Sequence, residues 1–102
     1  DLKGFLVMTP VCTRNDKNVF DVYYPGLEQE TRPVGMIKGD SDPLCTSAHW
    51  SEFLADRGQN FQAKLVPGDH GFRIFNKDGK LDEEQTRQNL VSVAAWIAEI
   101  GH

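Results

Sequence analysis

Apolar and polar positions along this chain follow two rhythms. Three short apolar runs have the length and punctuation of strands. Gly4-Phe5-Leu6-Val7-Met8-Thr9 has no polar alternation in its middle and is closed by Pro10, the pattern of a strand buried on both faces. Val34-Gly35-Met36-Ile37-Lys38 lies between Pro33 and Gly39. Gln62-Ala63-Lys64-Leu65-Val66 alternates more and is stopped by Pro67-Gly68. The second rhythm is helical. Trp50, Phe53 and Leu54 fall at i, i+3 and i+4 and predict a helix from Ser47 to Arg57, with Gly58 as its stop. Leu90, Val93, Ala94, Ile97 and Ile100 make the apolar stripe of a longer helix, Glu83 to Ile100. Asp82 and Gln85 can close a capping box at its start, and Gly101 ends it.

Strand, helix, strand, helix is the order of an α/β fold: three parallel strands with flanking helices, joined by right-handed crossovers. Residues Val11 to Arg32 fit this scheme least. They are polar except for the stretch Val19 to Tyr24, and Pro25-Gly26 makes a turn. A short helix and a surface crossover with one anchoring turn are both compatible with them. No internal repeat or low-complexity segment interrupts the chain, which reads as a single segment over residues 1–102.

Composition narrows the possible partners. Hydrophobic residues at 39% and charged residues at 25% are an ordinary globular balance and exclude a disordered chain. A net charge of −4 with no cluster of Lys and Arg excludes nucleic acid as the expected partner. The longest apolar runs, Phe5–Met8 and Val91–Ile97, are far too short for a membrane span. The sequence opens on Asp1-Leu2-Lys3, without an initiator Met or an export segment, and so reads as a processed, truncated or partial chain. Cys12 and Cys45 have no CxxC spacing. Two unpaired thiols in a reducing, cytoplasmic compartment are the simpler expectation. A Cys12–Cys45 disulfide is the alternative, since both residues would follow strands at one edge of a sheet.

Candidate chemistry gathers where two strands end. Open parallel sheets bind ligands at the carboxyl ends of their strands. The second strand runs into Gly39-Asp40-Ser41-Asp42-Pro43, and the third into Pro67-Gly68-Asp69-His70-Gly71-Phe72. Because both strands point the same way, one acidic cluster and one histidine reach the same rim. A carboxylate on one imidazole nitrogen fixes the tautomer and leaves the other nitrogen as a general base.

Taken together, Gly39-x-x-Asp42, the later Gly68-Asp69-His70-Gly71-Phe72 and the closing helix resemble the C-terminal part of an α/β-hydrolase. The dienelactone-hydrolase-like and esterase-like members without a large cap are the most similar. The likeness runs from about Leu2 to Ile100. It implies Asp42 as the triad acid and His70 as the general base, with no cofactor, acting on a small-molecule ester or acyl substrate. Asp40 and Asp69 read as turn residues, and an Asx turn ahead of Pro43 is the alternative role for Asp42.

The family's nucleophile sits in a Gly-x-Ser-x-Gly elbow, and this chain has no such elbow in a Ser, Cys or Asp version. Ser41, Ser47 and Ser51 fall in or after the acid turn instead. The nucleophile is therefore expected from outside the chain. The first strand, apolar on both faces, is expected to be interior, with an N-terminal half or another protein chain covering the sheet edge. The alternative is a non-catalytic subunit that assembles through that edge. The interval from Pro10 to Pro33 is too short for a bulky lid, which leaves an open cleft. Tyr23 and Tyr24 either edge that cleft or pack the crossover onto the sheet. The run from Asn76 to Glu84 looks like part of an EF-hand loop but lacks its first and its bidentate ligand; an Asp-Gly turn feeding a capped helix accounts for it. His49 reads as a partly exposed helix histidine.

Overall fold

The computed structural model describes residues 4–55 and 57–100. In chain order the elements are strand β1 (Phe5–Met8), a tiny hairpin of β2 (Thr13–Arg14) and β3 (Lys17–Asn18), and the one-turn helix α1 (Phe20–Tyr23). A 3-10 turn (Leu27–Gln29) leads to strand β4 (Val34–Gly39), helix α2 (Ser47–Leu54), strand β5 (Phe61–Val66) and helix α3 (Glu83–Ile100). The strands β1, β4 and β5 form one parallel sheet in the order β1-β4-β5. This is the expected α/β arrangement of three parallel strands with flanking helices.

The central strand organises the interior. Every residue of β4 is buried, and its two faces feed separate clusters. Val34 and Met36 pack with Cys12, Phe20, Cys45, Trp50 and Phe53, on the side of α1 and α2. Ile37 packs with Val66, Phe72 and Val93, on the side of α3. The alternation of a strand thus divides the core into two layers. Phe20 anchors the polar crossover: it is fully buried, and its ring stacks on Phe53 at 4.1 Å. The crossover therefore holds both a short helix and an anchoring turn.

Within this chain the first strand lies at the sheet edge, on the side where a preceding half or another chain is expected. Among the described residues β1 pairs with β4 alone, and Phe5, Leu6 and Met8 are exposed on it. Several expectations are corrected. The helix α2 ends at Leu54 rather than Arg57, with Asp56 outside the described residues. The chain must turn there to enter β5, and Arg57 N already bonds Leu54 O while Phe61 N bonds Gly58 O. The capping box at α3 is half made: Gln85 N donates to Asp82 Oδ1 at 2.9 Å, but the Asp82 amide goes to Ile74 O. Leu90 is exposed, so the buried face of α3 begins with the polar residues Thr86 and Asn89 and continues through Val93. The expected stop at Gly101 lies outside the described residues.

The thiols are also corrected. Cys12 and Cys45 form a disulfide across a sequence separation of 33, so neither is free. Both are fully buried in the core on the α2 side of the sheet. Residues 75–81 form a small turn closed by a bridge between Phe75 and Leu81, with Asn76 Oδ1 accepting from the amides of Asp78 and Lys80. Among the described residues no helix is long and apolar enough to cross a membrane.

Candidate active site

The parallel register Gly39↔Val66 delivers two turns to one rim of the sheet. Those turns interlock through the backbone. Asp40 N donates to Val66 O at 2.7 Å and Ser41 N to Gly68 O at 2.8 Å, while Gly68 N returns a bond to Asp40 Oδ1 at 3.2 Å. They approach so closely at Gly39 that any Cβ there would run into the carbonyls of Gly68 and Asp69.

From this platform the two predicted residues meet. The Asp42 side chain is wholly buried and divides its oxygens between two tasks. Leu44 N donates to Oδ1 at 2.8 Å, an Asx turn over Pro43. His70 Nδ1 donates to Oδ2 at 2.8 Å. The turn role and the pairing role, alternatives in the sequence, coexist because a carboxylate has two acceptor atoms. An ionised carboxylate only accepts, so Nδ1 carries the proton and Nε2 of a neutral ring is left with its lone pair. The His70 side chain is 42% exposed, and no group among the described residues bonds Nε2. A buried acceptor behind a solvent-facing imidazole is the arrangement of an oriented base.

The histidine turn is fixed from three sides. Phe72 inserts into the cluster of Ile37, Val66 and Val93 and takes a positive φ of 64° to do so, a conformation a bulky residue adopts only under tertiary constraint. Asp69 Oδ1 accepts from the amides of Gly71 at 3.0 Å and Arg73 at 2.9 Å, and Oδ2 pairs with the Arg73 guanidinium at 2.8 Å. Burial pushes the Asp69 carboxyl up, but Arg73 and these amides outweigh it and hold it below its ordinary value. From α3, Asn89 Nδ2 donates to Pro67 O at 2.6 Å and Phe72 O at 3.1 Å, bracketing the turn at both ends. Thr86 Oγ1 holds the next stretch by accepting from Ile74 N at 2.9 Å.

Asn89 and Lys38 are the residues that reading the sequence missed. Asn89 could have been found from the helical stripe, where it precedes Val93 by four positions on the same face. Lys38 continues the alternation Val34, Met36, Lys38 on the α2 face of β4 and is fully buried. The other candidates take structural parts. Asp40 and Asp69 serve the turns, as expected. Ser41 Oγ donates to Asp40 Oδ1 at 3.1 Å and Ser47 Oγ to Asp40 O, so neither bonds His70. Tyr24 packs against the core and Tyr23 Oη receives a bond from Arg14, so the tyrosines pack the crossover and do not line the His70 rim. His49 is partly exposed on α2, its Nδ1 2.7 Å from Thr13 Oγ1.

A groove of about 330 Å³ is lined by residues of both turns and of the stretch after the second, among them Asp40, Ser41, Gly68, Arg73 and Phe75, while Asp42 and His70 are not part of its lining. A second hollow, about 260 Å³, sits at the other end of the chain's path, between β1 and Tyr24, Leu27 and Glu30. Among the described residues no three His, Cys, Asp or Glu side chains converge as metal ligands would. Comparison of the chain with known protein families, with curated proteins and with solved structures finds no match.

Proposed function

We propose that this chain is the acid- and base-bearing C-terminal part of a serine-type or cysteine-type α/β-hydrolase acting on short ester or acyl substrates. The observation that carries the reading is the buried Asp42 carboxylate bonded to Nδ1 of a half-exposed His70, at the carboxyl ends of adjacent parallel strands. Asp42 holds the imidazole in one tautomer and stabilises the imidazolium once it forms. His70 Nε2 takes the proton of a Ser or Cys supplied from outside this chain and returns it to the leaving group. It then activates the water that releases the acyl group.

The test uses the native polypeptide that carries this chain. Its nucleophile is labelled with a fluorophosphonate or, for a thiol, iodoacetamide, and its hydrolysis of p-nitrophenyl acetate is followed. His70→Ala is expected to lower kcat/KM by roughly three orders of magnitude or more. An unchanged rate in that variant overturns the assignment.

A second reading rests on the exposed Phe5, Leu6 and Met8 of β1. In it the chain is a non-catalytic subunit whose open sheet edge receives another chain, and the Asp42–His70 pair is structural. It requires a stable partner on co-purification and no covalent labelling in the native complex.

A further inference from the structure

A fully buried lysine is costly, because its ammonium must leave water. Lys38 bears this cost at the end of β4, one residue before the acid turn, where a Met would fill the same space between sheet and α2. Its Nζ donates to Gly39 O at 2.6 Å and lies 5.9 Å from the centre of the Trp50 ring. The same Gly39 carbonyl accepts the Asp42 amide at 3.3 Å. One oxygen thus ties the buried cation to the residue that reaches His70.

We infer that Lys38 is a positioning residue for Asp42, its ammonium fixing the Gly39 carbonyl on which the acid turn is folded. The inference rests on the proposed pairing role of Asp42. The charges facing Lys38 are Asp42 and Asp40, both from the turn; from α2 it meets the uncharged Trp50 ring. Burial pulls the lysine below its ordinary value, while the two carboxylates, Asp42 ahead of Asp40, pull it back.

The test reads that coupling directly in the full chain, with lysine Cε labelled and followed by NMR across alkaline pH. The Lys38 midpoint is expected to fall further in Asp42→Asn and in Asp40→Asn, more in the first. Lys38→Met, which exchanges a buried cation for an apolar stem of similar length, is expected to stay folded. In it, amide exchange at Asp42 and Leu44 should rise about tenfold, the loss of one hydrogen bond, and the downfield His70 Nδ1–H resonance should weaken. Lys38→Arg should restore both. A Lys38 midpoint unmoved by Asp42→Asn overturns the inference, as does a folded Lys38→Met with exchange and resonance of the wild type. If Lys38→Met does not fold, the midpoint in Asp42→Asn decides alone. None of these measurements needs a nucleophile. Failure of the native polypeptide to hydrolyse esters overturns the hydrolase reading and leaves this coupling measurable on its own.

Discussion

Where β4 and β5 end, two turns are cross-linked by main-chain bonds, a buried aspartate, an asparagine from α3 and an arginine pair. Along β1 the side chains are apolar and all but Val7 are exposed: Phe5 is 40% accessible and Met8 45%. The charges near β1 lie at the surface, where Arg32 covers the Phe5 ring at 4.5 Å and holds the Glu30 carboxyl down to about 2 through an exposed ion pair. Surface pairs of that kind add little stability. The rim is specified by atoms that have few alternative partners, whereas β1 is specified by its pairing to β4. The first holds its side chains at fixed distances, and the second presents apolar area.

That contrast can be broken in order of size. Removing the disulfide with Cys12→Ala and Cys45→Ala is expected to cost roughly 4 kcal/mol, from the chain entropy a cross-link of this span removes from the unfolded state. Urea unfolding measures it, and a loss under 1 kcal/mol would show that packing alone holds the crossover. Gly39→Ala comes next, at about 3 kcal/mol, because its methyl meets backbone oxygens that cannot yield without parting the two turns. Amide exchange should then rise at the rim before it rises in β1.

Asn89→Ala leaves two carbonyls without their donor and is expected to cost about 2 kcal/mol. Its distinguishing sign is faster exchange around His70 with β1 unchanged. Asp69 gives a pH-dependent version of the same experiment. Its folded value lies below the 3.8 of an unperturbed aspartate, so its contribution is complete above that pH and fades as pH falls through the lowered folded value. The amides of Gly71 and Arg73 should loosen in that acid window, and Arg73→Met should reduce the effect. The smallest change is Leu6→Lys on β1, within about 0.5 kcal/mol in the isolated chain. In the presence of a partner that covers the edge, the same substitution should abolish co-purification; persistence of the complex would place the partner elsewhere.

The sequence exposed the fold through punctuation. Pro10, Pro33 and Pro67-Gly68 bound the apolar runs, and α3 begins at the predicted Glu83 and runs through Ile100, the last described residue. That an acidic cluster and His70 share one rim was legible because parallel strands deliver their following turns to the same side, whereas the choice of Asp42 within that cluster came from the hydrolase resemblance. Less was legible where tertiary partners outweigh local pattern. Thr86 and Asn89 read as polar interruptions of a helix, yet their partners are backbone atoms of a turn 12 to 22 residues earlier. Lys38 read as the polar end of a strand, though its even spacing from Met36 assigned it to the inner face.

The disulfide has a topological consequence. The bond between Cys12 and Cys45 closes a covalent ring that contains the hairpin, α1 and the whole of the central strand β4. A single proteolytic cut within the exposed part of that ring, for instance at Arg14 or Lys17, leaves both pieces joined. Such a nicked chain keeps its mass on a non-reducing gel, plus the water taken up in hydrolysis, and separates into two bands only after reduction.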